Sequence, residues 1–167
     1  MVEKVPMTKG GYQRLTEELR HLKSTERPNI IKAIAEARAQ GDLSENAEYH
    51  SAREKQSFIE GRIAELESKI SLADVIDVSK LSGPMVRFGA TVVLEDEDSG
   101  ERVRYQIVGQ DESDIHSGLL SVGAPLARAL IGKSIDDSVQ IRAPGGDKGY
   151  VIVDVAYKDE VLPSTGV

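Results

Sequence analysis

Two hydrophobic periods divide this chain, and no single-layer fold accommodates both. Tyr12, Leu15, Leu19 and Leu22 recur at steps of 3, 4 and 3, and Ile59, Ile63, Leu66, Ile70 and Ala73 at steps of 4, 3, 4 and 3. Alternating steps of three and four place side chains on one narrow helical stripe, the seam of a coiled coil. The remaining positions from Thr8 to about Ala73 are largely charged, as a solvated face requires. Beyond Val78 the period becomes two. Ala90–Leu94, Val103–Val108, Ser138–Arg142 and Tyr150–Val155 alternate and are rich in β-branched residues, with turn chemistry at Asp98-Ser99-Gly100 and Pro144-Gly145-Gly146-Asp147. The reading is therefore an α+β chain: residues 1–78 an antiparallel two-helix coiled coil, 79–160 a small antiparallel-sheet domain, and 161–167 a flexible tail without packing pattern. One short helix is expected at Pro125–Ile131, with Pro near its start and Gly132 ending it.

The helical half contains one slip and one turn. Between Leu22 and Ile30 the seam loses register before resuming at Ile30, Ile34 and Ala37, and Pro28 lies inside the slip. Proline lacks the backbone donor a helix interior needs, so a break is expected near Ser24–Pro28. The turn is Gln40–Asn46: Gly41 suits the C′ position of the first helix, and Asp42 or Ser44 suits the N-cap of the second. A short turn between two long helices makes a hairpin. At 1.5 Å rise, arms of about 30 residues reach roughly 45–50 Å. A two-helix rod has little core of its own and suits reaching.

Charge and composition exclude several classes. The net charge is −7, with −2 over residues 1–78 and −5 over 79–167. Neither half has the basic field of an autonomous nucleic-acid binder, so contact with RNA or DNA must be local and helped by another macromolecule. The absence of Cys excludes disulfides and thiolate sites. Aromatic content of 4% disfavours a stacking platform for single strands. No apolar leader or membrane span is legible, so the expectation is a cytoplasmic monomer with no membrane partner.

The turn carries the chemistry. Asp42 and Glu45 present two carboxylates together, able to ligate a hard cation such as Mg2+ or to position a water. Two carboxylates cannot complete a Mg2+ site, so they would complete one elsewhere. The same spacing is that of a capping box, which on spacing alone is the simpler account. Arg38 and Arg53 stand at similar heights on the two arms and suit phosphate oxygens. Ordinary pairing with Glu36, Glu48 or Glu54 is the plainer alternative, of little energetic weight. Tyr49 is either a seam residue or an exposed ring that touches a base. His21, His50 and His116 show no metal-ligand spacing, and no phosphate-loop or nucleophile-elbow motif is present.

Gly41-Asp42-Leu43-Ser44-Glu45-Asn46-Ala47-Glu48-Tyr49-His50 closely resembles the hairpin-tip signature of the Gre family of bacterial transcript-cleavage elongation factors, GreA type. Pro6-Met7-Thr8, Arg27-Pro28, Phe88-Gly89-Ala90-Thr91-Val92, Ser121–Ala127 and Ala143–Gly146 resemble further family motifs, and the resemblance covers about residues 5–157 in order. It implies a C-terminal domain like the FK506-binding prolyl isomerases that docks on bacterial RNA polymerase, around Ser121, Pro125 and Leu126. It implies that the coiled coil enters the polymerase secondary channel. There Asp42 and Glu45 are donated to the polymerase active site, share its Mg2+ and stimulate cleavage of the 3′ end of backtracked RNA. No cofactor is stably bound, and the chain activates an enzyme rather than being one. Arg38, Arg53 and Tyr49 match positions that contact the nascent RNA 3′ end. Ser44 departs from the Lys common in relatives. Two other readings compete. A prolyl isomerase would need an aromatic-lined pocket, and only Phe88, Tyr105, Tyr150 and Tyr157 follow Val78. A channel-blocking inhibitor would be expected to alter or lose the tip carboxylates, and both are present.

Overall fold

The computed structural model describes residues 3–41 and 45–158; Asp42, Leu43, Ser44 and the tail expected at 161–167 lie outside the described residues. Two compact units result, one of them Tyr12–Leu72 and the other the segment up to Gly11 together with everything from Ala73 onward. The sequence boundary at Val78 therefore falls inside the second unit. The reason is a pairing that no local pattern announces. Strand β1 (Val5–Thr8) lies parallel to β2 (Ala73–Ile76), in register from Val5 opposite Ala73 to Thr8 opposite Ile76.

The helical unit is built from α1 (Lys9–His21), α2 (Arg27–Arg38) and α3 (Ala47–Ser71). Between α1 and α2 the chain does not break. It widens into a π-helical run, Leu22–Glu26, in which the Arg27 N–H reaches back to the Leu22 carbonyl. Such a turn absorbs one surplus residue. That surplus is the eighth step from Leu22 to Ile30 where the seam repeat needs seven. Pro28 stands in the first turn of α2, where its missing donor costs least. Arms α2 and α3 run antiparallel: Lys23 meets Glu67, Arg27 meets Glu60, and Asn46 meets Ala37. Ile30, Ile34, Ile59 and Ile63 form the buried seam. Each such side chain contributes about 1.5–3 kcal/mol through burial. Leu15, Ala37 and Leu66 are buried as their spacing predicts. The register fails at the end of α3, since Ala73 belongs to β2 rather than to the helix.

The sheet unit has five strands in the order β5-β4-β3-β7-β6. These are β3 (Thr91–Asp96), β4 (Arg102–Val108), β5 (Leu119–Ser121), β6 (Ser138–Ala143) and β7 (Gly146–Ala156). Four correspond to the alternating runs. The fifth, β5, runs parallel to β4 (Gln106 opposite Leu119), so the sheet is mixed rather than wholly antiparallel. Residues 109–118 connect them through two short 3-10 turns, Gln110–Glu112 and Ile115–Ser117. Helix α4 (Pro125–Leu130) buries Ala127 and Leu130 against Val92, Leu94, Ile107 and Ile152. It starts on Pro125 and is followed by Gly132 at φ 90°, as expected of a left-handed helix stop.

Candidate functional site

The end of the hairpin is organised by an asparagine. Asn46 caps α3: its side-chain oxygen accepts from the Tyr49 N–H at 3.0 Å. Its side-chain nitrogen donates to the Ala37 carbonyl at 2.7 Å, joining the last turn of α2 to the first of α3. A side-chain amide, with an acceptor oxygen and a donor nitrogen, can serve both partners at once. The cap of α3 is therefore neither Asp42 nor Ser44, and the capping-box account of Asp42 and Glu45 does not hold for this helix. Gly41, at φ 119°, lies beyond the C-cap Ala39 rather than immediately after it, so α2 closes one residue earlier than expected. Glu45 is exposed and precedes the cap.

One turn further in, Arg38 and Arg53 converge on Tyr49. Their guanidinium carbons lie 5.8 Å and 5.9 Å from the centre of its ring, within cation–π range. Arg53 also donates to the Tyr49 hydroxyl at 3.2 Å. The Arg38 guanidinium, ahead of Arg53, holds the phenol below its usual pKa range. Tyr49 is half-buried and packs against the seam, so it is seam residue and arginine platform at once.

The pattern of ion pairs sets these two arginines apart. Arg20 is paired with Glu17, Arg27 with Glu60, and Arg62 with both Glu18 and Glu65. The Arg62 fork lowers the Glu18 pKa. Among the described residues neither Arg38 nor Arg53 forms an ion pair, and Glu36, Glu48 and Glu54 do not supply one. Two guanidinium groups held on a neutral ring keep donors available for phosphate oxygens. Beside them a groove of about 500 Å³ runs along the hairpin, lined by Ile31, Ile34, Ala35, Arg38, Arg53 and Gln56. Sequence spacing had not singled out Ile31 or Gln56. An exposed isoleucine off the seam (Ile31 is 52% exposed) was the available signal.

Among the described residues no three potential metal ligands come together. Of the two carboxylates expected to share a Mg2+ ion, Asp42 lies outside the described residues and Glu45 is exposed; carboxylate oxygens are of the hard donor type that ion takes. In the sheet unit, Ser121 ends β5, Pro125 opens α4 and Leu126 packs partly against the core. Ser121 accepts from the Gly123 N–H at 3.2 Å, which shapes the connection between them. Tyr105, Tyr150 and Tyr157 pack on the core, and the Tyr157 hydroxyl donates to the Met85 carbonyl while accepting from the Arg87 N–H.

What fold and site define is an α+β protein with a helical hairpin, whose Arg38 and Arg53 form no ion pair among the described residues, and a small sheet unit. Residues 5–75 match the family model "Transcription elongation factor, N-terminal", and residues 81–157 match "Transcription elongation factor, GreA/GreB, C-term". The chain belongs to the GreA/GreB family of transcription elongation factors. It is 61% identical over 163 residues to a protein of Anaeromyxobacter sp. (strain K) named transcription elongation factor GreA, covering 98% of each chain. It is 62% identical to the protein of that name from Ruegeria pomeroyi, covering 93% of this chain and 99% of the relative. A solved structure, the GreA factor homolog 1 of Thermus thermophilus, is 28% identical over 92% of this chain and 99% of that one, with a TM-score of 0.43. A superposition that loose supports no residue-level comparison.

Proposed function

We propose that this chain enters the secondary channel of bacterial RNA polymerase and stimulates the polymerase's Mg2+-dependent cleavage of the 3′ end of backtracked RNA. The observation that carries this reading is the arginine couple: Arg38 and Arg53 are withheld from the glutamates that occupy Arg20, Arg27 and Arg62. Two cations without an ion pair among the described residues, on a chain of net charge −7, suit a phosphate backbone delivered by a partner. The arms act as a coiled coil that carries the turn inward. Arg38 and Arg53 hold phosphate oxygens of the RNA 3′ end, and Tyr49 keeps both guanidinium groups in place.

Asp42 and Glu45 offer carboxylate oxygens as partial ligands and orient the attacking water by accepting its hydrogen bond. Mg2+ shared with the polymerase supplies Lewis acidity at the phosphodiester when bound. The protein contributes groups to another enzyme's reaction and is itself an accessory factor, monomeric and cytoplasmic. The sheet unit, read as an FK506-binding-protein-like domain, docks on the polymerase through the β5–α4 connection at Ser121, Pro125 and Leu126.

The test is a stalled, backtracked elongation complex carrying 3′-labelled RNA, supplied with Mg2+ and with this protein or its Asp42→Asn form. Asn keeps a short polar side chain but lacks the charge to hold Mg2+. Release of short 3′ fragments by the wild type alone, with both forms equally folded, is the expected result. No release by either form, while both still bind polymerase, would make the chain a channel-occupying regulator.

A further inference from the structure

Packing between the two arms thins toward the turn. The buried residues of α2 run Ile30, Ile34 and then Ala37, whose side chain is a single methyl group. The first two turns of α3 add Tyr49 and Ala52, both only partly buried. The ion pairs Lys23–Glu67 and Arg27–Glu60 join the arms at the other end. Near the turn a polar side chain takes over. The last carbonyls of a helix and its first N–H groups have no partner within their own helix. Asn46 meets one of each, donating to the Ala37 carbonyl at 2.7 Å and accepting from the Tyr49 N–H at 3.0 Å. The chain it closes off is residues 38–45, and Glu45 is its immediate neighbour.

We propose that Asn46 is a positioning residue for the cleavage reaction: by tying the end of α2 to the start of α3, it fixes where Glu45 offers its carboxylate to the shared Mg2+. The inference rests on the transcript-cleavage reading. Ser, Thr or Asp would cap α3 about as well as Asn. Capping alone therefore does not account for the amide, whose distinguishing group is the donor spent on Ala37. A cap fixes one helix, whereas the second bond holds the two arms together beside the turn. A carboxylate carried into another protein's metal site has little tolerance for error. Misplacement by about 1 Å costs on the order of a hundredfold in rate. Groups that orient a metal ligand from behind are worth about tenfold to a hundredfold in metal affinity or activity.

Asn46→Ser separates the two bonds, since its hydroxyl caps α3 but is one bond too short to reach Ala37 as well. Hydrogen exchange on the free full-length protein reads the tie directly. The last turn of α2 and the first of α3 should exchange about fivefold faster, the worth of one hydrogen bond, while Ile59–Leu66 stays as in the wild type. Cleavage of a backtracked elongation complex over a Mg2+ series then reads the consequence. The Mg2+ concentration for half-maximal cleavage should rise about tenfold, with the rate recovering at high Mg2+ and the protein concentration for half-maximal cleavage unchanged. Asn46→Thr serves in its place should the serine form not fold. Faster exchange with the wild-type Mg2+ dependence makes Asn46 a helix cap only and overturns the proposal. Exchange that matches the wild type overturns it too, as does slow cleavage that excess Mg2+ does not relieve. In each of these cases the wild type still cleaves and the transcript-cleavage reading stands. A wild type that binds polymerase and never cleaves removes both.

Discussion

Arg38 and Arg53 differ from the paired Arg20, Arg27 and Arg62 in their neighbours, not in their chemistry. Both are exposed and rest on Tyr49, so removing them takes away little packing. Surface substitutions of this kind change stability by about 0.5 kcal/mol or less. Arg38→Ala and Arg53→Ala should therefore melt like the wild type. Each should slow cleavage about tenfold to a hundredfold, the worth of a hydrogen bond to a charged group. Arg53→Lys should fall between, since it keeps the charge and loses the fork. Loss of folding without a specific loss of cleavage in either alanine variant would count against the RNA role. A second residue matters for the opposite reason. Glu112, buried in the sheet unit, accepts from the Thr8 N–H at 2.7 Å, from the Thr8 hydroxyl, and from the Gly109 N–H at 2.9 Å. Thr8 in turn accepts from the Gly11 N–H at 3.1 Å and so caps α1. Gly11 and Gly109 have no room for a Cβ, which would overlap the Glu112 carboxylate and the Pro6 carbonyl. Glu112→Gln sets an NH2 against donors. Urea unfolding should show a loss of about 1–3 kcal/mol, the cost of leaving buried polar groups unmatched, while a loss near zero would mean that the clamp relaxes freely.

At the scale of elements, what was legible followed period and punctuation. The seam of Ile30, Ile34, Ile59 and Ile63, four of the five sheet strands, and α4 between Pro125 and Gly132 all lie where alternation and turn residues put them. What was not legible depends on partners distant in sequence. Strands β1 and β2 have four residues each and find one another only in the folded chain, and β5 has three. The cap Asn46 was passed over for Asp42 and Ser44, because spacing cannot reveal that Ala37 waits for its amide. The candidates Arg38, Tyr49 and Arg53 were legible, but which glutamates reach which arginines was not, since that depends on the register of the arms. The slip near Pro28 was visible as a spacing error, and its form is the π-helical run. That form supports a prediction. Deleting exposed Thr25 removes the surplus residue and makes α1 and α2 one continuous helix, but leaves Pro28 in its interior at a cost of about 3 kcal/mol. The deletion alone should lower the urea midpoint, and the deletion combined with Pro28→Ala should restore it. A Thr25 deletion that is neutral by itself would show that the run is not a response to register.

At the scale of the whole molecule, two units allow two separable failures. In the proposed division of labour, the hairpin supplies what the reaction uses and the β5–α4 connection supplies affinity for polymerase. Pro125 is exposed at the first position of α4, so Pro125→Glu leaves the core residues Ala127 and Leu130 in place. A carboxylate forced against a partner surface without a matching cation is costly, and interface changes of this kind act mostly through dissociation. Titrating each variant against a fixed amount of backtracked complex reads the two failures apart. Pro125→Glu should raise the concentration giving half-maximal cleavage by about tenfold or more, equivalent to at least about 1.4 kcal/mol, and reach the wild-type plateau once saturating. Arg38→Ala should lower the plateau and leave the half-maximal concentration near that of the wild type, because the clamp acts only after the factor is seated. Combined, the two changes should shift the midpoint and the plateau independently, as sites without shared partners do. A Pro125→Glu variant whose plateau falls while its midpoint holds would place the docking surface elsewhere on the sheet unit and make the β5–α4 connection part of the chemistry.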